Sequence, residues 1–250
     1  MQTIICKNCE HHYKGNFCSH CGQIASVEKI DAKYFLHDIP HSVLHIDKGF
    51  LYSLWHLLKN PGTTLKEYLE GKRVKHFKPF AFVVILSTIC TLIVKFLDKL
   101  INLKYTKEHP GFILDSSYQN YFAKYPSLVI FALIPILSLI TWLFFKKEKY
   151  NYWEHFLVNT YLAAYLNIFF LLIKIYGCIK YLTYNDNRVN YMLFLILFMS
   201  YYGYAFDKLM PAHKKTFAFV SKMILFIVLI VMLYMTSFSF AGMMQPWWES

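Results

Sequence analysis

Four cysteines near the N-terminus have the residue type and the spacing of a metal site. Cys6 and Cys9 form one C-x-x-C pair, and Cys18 and Cys21 form a second pair after an eight-residue gap. Two such pairs make two short turns that can surround one tetrahedral Zn²⁺ with four thiolates. Gly22 follows the last cysteine and permits the tight turn behind the metal. The spacing therefore predicts a zinc ribbon with one structural zinc ion.

The alternative for these cysteines is a pair of disulfide bonds in a secreted domain. Disulfide bonds persist in oxidising compartments. No signal-peptide pattern precedes the cysteines, and the rest of the chain is rich in apolar segments. The sequence therefore favours thiolates on the reducing, cytoplasmic side of a membrane.

The remainder of the chain has the composition of a membrane protein. Of its 250 residues, 56% are hydrophobic and 19% are aromatic, whereas only 16% carry a charge. A helix of roughly 20 apolar residues crosses the hydrocarbon of a bilayer. Five stretches nearly free of charge approach or exceed that length: 79–97, 127–145, 156–176, 189–206 and 223–244. We expect an all-α polytopic membrane protein with about five transmembrane helices, a small N-terminal ribbon and amphipathic interfacial helices.

Two lysines and one proline interrupt these stretches. Lys95 and Lys174 each lie near the end of a span, where a lysine can reach the headgroups while its stem stays in lipid. A buried lysine on an ion path is the alternative. Pro135 lies inside the second span, where it is predicted to kink the helix.

The basic residues predict the orientation of the chain. Eleven lysines and arginines precede the first span, and the loops after the second and fourth spans are also basic. By the positive-inside rule the N-terminus is cytoplasmic, and five spans place the C-terminus outside. The net charge of +11 then indicates attraction to the anionic lipids of the inner leaflet, and nucleic acid is an unlikely partner.

Residues 26–78, between the ribbon and the bundle of residues 79–250, have the pattern of two amphipathic helices. Apolar residues recur every three or four positions over residues 36–57, which gives a helix one continuous apolar stripe. We expect this helix to stop at Asn60-Pro61-Gly62. Both helices should lie on the membrane surface or against the cytoplasmic ends of the bundle.

The second of these helices has its own start and stop signals. Thr64 and Glu67 have the spacing of a capping box, which predicts a helix start there. Gly71 is the expected end, because glycine readily adopts the left-handed conformation that closes many helices.

A stripe of His37, His41, His45 and Asp47 is a second polar constellation before the first span. Two histidines four residues apart can chelate a divalent metal from one helix face. The stripe lacks the glutamate of H-E-x-x-H, and a proline at position 40 disturbs the helical phase of its start. A hydrated polar face is the favoured interpretation. A second metal site, and acid/base or lipid-phosphate chemistry, remain open.

Glu154 and His155 stand together at the start of the third span. A helix cap and an interfacial anchor are the favoured roles for this pair, with a proton-handling or ligand site as the alternative. The chain contains no G-x-S-x-G, Walker loop, dinucleotide fingerprint or Asp-rich metal motif. The sequence therefore predicts no reaction and no substrate.

Several motifs together resemble an uncharacterised family of zinc-ribbon multi-pass membrane proteins found mainly in Bacteroidota. They are the two C-x-x-C pairs, His45-Ile46-Asp47-Lys48-Gly49-Phe50, Glu67-Tyr68-Leu69-Glu70-Gly71-Lys72-Arg73 and Pro79-Phe80. The resemblance is specific over the first 80 residues and loose through Tyr152-Trp153-Glu154-His155. It implies a multi-pass protein of a bacterial inner membrane and carries no assigned activity. Arg73 joins Glu154 and His155 as a possible interfacial site.

Three classes of function fit these features. We expect a nonenzymatic scaffold or adaptor whose cytoplasmic ribbon, residues 1–25, docks a protein partner. The first alternative is a membrane-embedded, metal-dependent enzyme that acts on a lipid or lipid-linked substrate. The second is a transporter or a transport accessory protein, which would favour polar residues at mid-span and internal repeats. The identity of a partner and the oligomeric state stay open.

Overall fold

The structure, a computed structural model, describes residues 3–27, 29–35, 49–108, 126–146, 148–184 and 191–210. Within these ranges the fold is mostly helical. Its elements, in chain order, are β1 (Ile4–Ile5), β2 (His12–Tyr13), α1 (Gly49–Lys59), α2 (Pro61–Glu70), α3 (Pro79–Glu108), α4 (Pro126–Phe144), α5 (Tyr152–Tyr184) and α6 (Tyr191–Leu209). The fifth predicted span, 223–244, lies outside the described residues.

The N-terminal module is a short antiparallel hairpin. Strands β1 and β2 pair with Ile4 opposite Tyr13, and an isolated bridge joins Phe17 to Ile24. The buried centre of the module consists of Tyr13 and two of the cysteines. So small an apolar core cannot by itself stabilise a module of this size, and the cysteines must contribute more than packing.

Helices α1 and α2 confirm two of the predicted boundaries and correct a third. Helix α1 ends at Lys59, and α2 ends at Glu70 with Gly71 as its C-cap, whose backbone is left-handed with φ +103°. The predicted capping box is wrong: α2 begins at Pro61, and the Thr64 hydroxyl donates to the Asn60 carbonyl (2.8 Å) from inside the first turn. Proline starts the helix earlier because its fixed φ and missing N–H suit the first helical position.

Helix α5 is the central helix of the body and has two unlike halves. Residues 157–165 are nine consecutive buried positions, which requires protein on every side of that half. Helices α3 and α4 pack along α5, and the Tyr165 hydroxyl donates to the Leu54 carbonyl of α1. The C-terminal half instead exposes apolar side chains such as Leu172 and Ile179.

Two described helices are long and apolar enough to cross a membrane by length and composition: Pro79–Ile101 of α3 and the whole of α5. The apolar part of α4, Ile130–Phe144, is shorter. Pro135 does lie inside α4, as predicted. Two candidate membrane spans are thus present in the described ranges, and the count of five stays a prediction.

The far ends of α3 and α5 are joined by lysines. The Lys174 ammonium lies 2.6 Å from the Asp98 carboxylate, so this lysine of the third predicted span has a charged partner on α3, one residue after the first predicted span. Lys104 of α3 donates to the carbonyls of Tyr181 (3.1 Å) and Leu182 (3.3 Å). A cation at the C-terminal end of a helix is favourable, because the last carbonyls are unpaired and carry partial negative charge.

Candidate functional site

The four N-terminal cysteines converge on one point. Their sulfur atoms all lie within 4.8 Å of one another, and no other group of this kind occurs among the residues that the structure describes. The Cys6 and Cys21 sulfurs are 3.5 Å apart, and those of Cys9 and Cys18 are 3.6 Å apart. A disulfide bond would bring two sulfurs to about 2 Å. These separations are instead close to the roughly 3.8 Å edge of a tetrahedron with metal–sulfur bonds of about 2.3 Å.

The backbone around the cysteines repeats one turn twice. Glu10 and Gly22 each follow the second cysteine of a pair, have positive φ (+61° and +76°), and donate N–H to the carbonyl of the first cysteine, at 2.9 and 2.8 Å. The N–H of each first cysteine in turn donates to the carbonyl of the residue five positions later, Cys6 to His11 and Cys18 to Gln23. The hydrogen bonds close both turns around the sulfurs, so the sequence positions the thiols by local structure.

The chemistry of the donor set fits a soft divalent cation. The backbone N–H of His11 lowers the pKa of Cys9, but burial and the three neighbouring thiols raise it to about 12. Four thiolates this close together repel one another unless a cation lies between them, and metal binding therefore releases protons. The cluster can bind a metal ion, with Cys6, Cys9, Cys18 and Cys21 as its ligands and no fifth protein ligand in the group.

Three polar contacts fasten the ribbon and the chain that follows it to the helical body. The Gln23 side-chain oxygen accepts from the backbone N–H of Arg73 at 3.4 Å. The Asn151 amide donates to the Ile30 carbonyl at 3.2 Å, and the hydroxyls of Tyr34 and Tyr68 are 2.7 Å apart. Because the Gln23 carbonyl also accepts from the Cys18 N–H, one residue connects the candidate metal centre to the segment that follows α2.

Arg73, a predicted interfacial residue, lies at this junction. Its guanidinium carbon is 5.1 Å from the centre of the Tyr34 ring and 5.3 Å from that of Tyr68, and its Nε donates to the Tyr68 carbonyl at 3.3 Å. A guanidinium over the face of a tyrosine ring is attracted by the quadrupole of that ring. Burial, more than its neighbours, raises the pKa of Tyr68 well above its usual range, so its hydroxyl stays protonated.

Glu154 caps the start of α5. The Glu154 carboxylate accepts from the Asn151 N–H at 2.7 Å, and the Asn151 side-chain oxygen accepts from the Glu154 N–H at 2.9 Å. This reciprocal pair satisfies two N–H groups that a helix start otherwise leaves unpaired. The carboxylate is therefore engaged in helix capping, the role that the sequence favoured for it.

His155 faces the opposite direction, into the bundle. Only 1% of it is exposed, and its ring lies beside those of Phe145 (6.4 Å) and Phe206 (6.3 Å), which are themselves 5.4 Å apart. Neither ring nitrogen has a hydrogen-bond partner among the residues that the structure describes. The geometry separates Glu154 from His155 and does not unite them in one open site.

A buried polar network next to His155 was not predicted from the sequence. The Asn159 amide donates to the Thr141 hydroxyl (3.0 Å) and to the His155 carbonyl (2.8 Å), and the Tyr202 hydroxyl donates to the Asn159 side-chain oxygen. The network joins α4, α5 and α6. Isolated polar residues inside apolar stretches were its available signal, because such residues in membrane segments usually face the bundle interior.

Glu67 and His76 form a second pair of chemically active groups. The His76 Nε2 atom lies 3.5 Å from the Glu67 carboxylate, and the rings of Tyr52 and His56 stack beside it at 4.0 Å from each other. Burial lowers the pKa of His76, and Glu67 opposes that change. The imidazole is therefore held largely neutral beside a half-exposed carboxylate.

The remaining predicted site residues, His37, His41, His45 and Asp47, lie outside the described residues. Their proposed roles stay predictions.

Comparison with known proteins gives one match. A sequence model of a family described as a protein of unknown function (DUF3667) matches residues 47–91. The match covers α1, α2 and the start of α3, including the Glu67 and His76 pair, and it fits similarity to an uncharacterised family. Neither the curated proteins nor the solved structures contain a match to this chain.

Proposed function

We propose that this protein is a membrane scaffold of a bacterial inner membrane, in which an N-terminal zinc ribbon is presented to a cytoplasmic protein partner. The observation that carries the proposal is the attachment of the ribbon. Gln23 and the chain after it contact the helical body, whereas Phe17 (62% exposed) and Ile24 (46%) remain open on the same module. A ribbon fixed at one face with paired apolar residues exposed suits docking of a partner.

The zinc ion in this proposal is structural. Four cysteines complete a tetrahedral shell and leave no open position for a substrate or an activated water. The ion supplies folding free energy to a module whose apolar core is small. Cobalt substitution gives a direct spectroscopic readout, since tetrahedral Co²⁺ bound to four thiolates absorbs strongly in the visible range.

The placement of the other polar residues supports a scaffold over an enzyme. Glu154 caps a helix, the Arg73 guanidinium lies over two tyrosine rings, and His155 is buried beside two phenylalanine rings. An enzyme acting on a lipid headgroup needs its acid or base within hydrogen-bond reach of substrate. We find no described cluster in which these three residues face one open site.

The proposed partner is a protein with an apolar contact patch that covers Phe17 and Ile24. A photo-crosslinking amino acid placed at either position should give a discrete adduct in cells, because interface positions contact the partner directly. The same probe at Lys14, an exposed residue of the ribbon, is the matched control and should give little product. The Cys18→Ser change should abolish the adducts, because the ribbon loses its fold.

Adducts of equal yield at all three positions would contradict a specific docking face. Their absence at both Phe17 and Ile24, in protein that retains its metal, would overturn the scaffold proposal.

The proposed orientation places the ribbon in the cytoplasm and the C-terminus outside, across about five spans. Reporter enzymes fused before Met1 and after Ser250 test this arrangement. The N-terminal fusion should be active only with a cytoplasmic reporter and the C-terminal fusion only with a periplasmic one, since basic loops remain on the inner side. Both termini on one side would contradict an odd number of spans.

A further inference from the structure

Helix α1 presents an apolar stripe that the described residues leave uncovered. Leu51 is 72% exposed, Trp55 is 55% exposed and Leu58 is 51% exposed. The three positions are four and three residues apart, so they lie on one face of the helix. Large apolar side chains exposed together are unusual on a protein surface that faces only water.

The opposite face of α1 is fixed to the bundle, which sets the direction of the stripe. Phe50, Ser53 and Leu57 are buried, and the Ser53 hydroxyl accepts from the N–H of Phe77 at 2.7 Å. The hydroxyls of Tyr165 and Tyr201 donate to the carbonyls of Leu54 and Leu57. The stripe therefore faces away from α5 and α6.

These contacts also determine the level of α1 along the bundle. Tyr165 lies 13 residues after the first residue of α5, Tyr152, which corresponds to about 20 Å along a helix. Helix α1 also contacts Phe77, two residues before the candidate span of α3 begins, so α1 packs at the level where that span starts. A surface at this level that faces away from the bundle suits contact with the lipid of the inner leaflet.

The charges near the stripe suit an anionic lipid surface. The Lys59 ammonium lies over the Trp55 ring at 4.4 Å from its centre. Tryptophan beside lysine is typical of the boundary between headgroups and acyl chains. Residues 49–78 carry six basic and two acidic side chains: Lys59, Lys66, Lys72, Arg73, Lys75 and Lys78 against Glu67 and Glu70. Such a segment is attracted to the anionic inner leaflet.

We propose that the Leu51, Trp55 and Leu58 face of α1 is inserted into the inner leaflet at the boundary of headgroups and acyl chains, with Lys59 on anionic phospholipid. This inference rests on the proposed membrane embedding and goes beyond it, because α1 is not one of the predicted spans. An inserted α1 holds the junction with the ribbon at a fixed height above the bilayer.

The test measures quenching of Trp55 by brominated lipids in nanodiscs of phosphatidylethanolamine and phosphatidylglycerol. The Trp55 emission is the difference between the parent protein and a Trp55→Phe variant, which keeps an aromatic ring at this exposed position. Bromines at acyl carbons 6 and 7 should quench it more than bromines at carbons 11 and 12, because interfacial helices insert about 5–10 Å. Brominated phosphatidylglycerol should quench more than brominated phosphatidylethanolamine at equal content.

Two added tryptophans in the Trp55→Phe background serve as controls. Leu92→Trp, at a 63% exposed position in the candidate span of α3, should be quenched if the bundle is embedded at all. Phe17→Trp, on the ribbon, should not be quenched. These controls separate failure of the inference from failure of the membrane proposal.

Each other occupant of the stripe gives its own pattern. Quenching of Leu92→Trp without quenching of Trp55 overturns the inference and leaves the membrane proposal intact; quenching of neither overturns both. If neither lipid bromines nor aqueous acrylamide quench Trp55, another segment of the chain, such as residues 223–244, covers the stripe. If acrylamide reaches Trp55 and lipid bromines do not, the stripe faces water or a soluble partner.

Discussion

The ribbon and the helical body of this protein are stabilised by different means. The buried apolar centre of the ribbon contains only Cys6, Tyr13 and Cys18, whereas the core of the body extends from Ile30 to Met210 through every described helix. We expect the ribbon to depend on a metal ion for its fold, because it has little apolar area to bury. The described helices of the body instead bury a large apolar core against one another.

Glycine has a different use in each region. Gly22 of the ribbon has a φ of +76° and nothing within 4 Å of the position where a Cβ would lie, so its backbone conformation is what requires glycine. At Gly62 of α2, a Cβ would overlap the Ala205 carbonyl oxygen and approach the Leu209 nitrogen to 2.8 Å. There the requirement is space, since α2 and α6 pack backbone to backbone. The ribbon depends on local conformation and the body on long-range packing.

The largest effect should follow removal of the metal. A chelator or the Cys18→Ser change should unfold the ribbon, because structural zinc sites contribute roughly 10–16 kcal/mol of apparent binding free energy in small modules. Metal analysis should fall from one equivalent to none, and amide hydrogen exchange should lose protection over residues 3–27. Residues 152–184 should keep their protection.

Zinc retained at full stoichiometry in Cys18→Ser, or none in the parent, would refute the metal assignment. Loss of protection in α5 as well would mean that the two regions fold as one unit. The proposed contrast between them would then be wrong.

A smaller effect is expected from Gly62→Ala. The added methyl group must push α2 away from α6, and overpacking of this kind costs about 1–3 kcal/mol. Unfolding in mixed micelles, followed by circular dichroism, measures the loss. Thr63→Ala, at the exposed neighbouring position of the same helix, is the matched control and should change stability by less than about 0.5 kcal/mol. Equal effects of the two changes would argue that helix propensity, not the contact with Ala205, decides this position.

The features that could be predicted from the sequence are those that depend on local spacing. The four metal ligands, the end of α1 and the stop at Gly71 each depend on a few neighbouring residues and were confirmed as a metal-capable cluster and two helix ends. The start of α2 was missed because Thr64 and Glu67 have the spacing of a cap, while Pro61 is the stronger start signal.

Long-range contacts could not be predicted from the sequence. No sequence pattern indicates that Gln23 contacts Arg73, 50 residues away, or that Asn159 of α5 contacts Tyr202 of α6. His155 and Glu154 are adjacent in the chain, yet helical geometry directs one into the bundle and the other to the helix cap. Their separation is a property of the packed fold, which a single sequence does not specify by spacing.

The pH dependence of stability should identify His76 as a feature of the body. Burial lowers its pKa below the ordinary value of 6.5, so the unfolded chain binds a proton more readily than the folded one. The contribution of neutral His76 to the free energy of unfolding is therefore fully present above pH 6.5. It is lost as the pH drops toward the lowered pKa. The groups facing His76 are Glu67, Tyr52, Tyr68, His56 and Lys75.

A His76→Gln variant should lose less stability than the parent over that acid range, as measured by micellar unfolding at a series of pH values. His20→Gln, at an exposed position of the ribbon, is the control and should follow the parent. Identical acid profiles for the parent and His76→Gln would show that Glu67 offsets the cost of burial.

The smallest effect should come from the ion pair between Asp98 and Lys174, and its salt dependence tests whether the pair lies outside the hydrocarbon of a membrane. The side chains are 32% and 38% exposed, and ion pairs open to water contribute only about 0.2–1 kcal/mol. A double-mutant cycle of Asp98→Asn and Lys174→Met, measured by unfolding in nanodiscs, gives their coupling free energy. We expect a value within that range that declines in high salt, because a pair near the headgroups is screened. A coupling several times larger and independent of salt would place the pair within the hydrocarbon, and the spans would then extend farther along α3 and α5 than the positions of their lysines indicate.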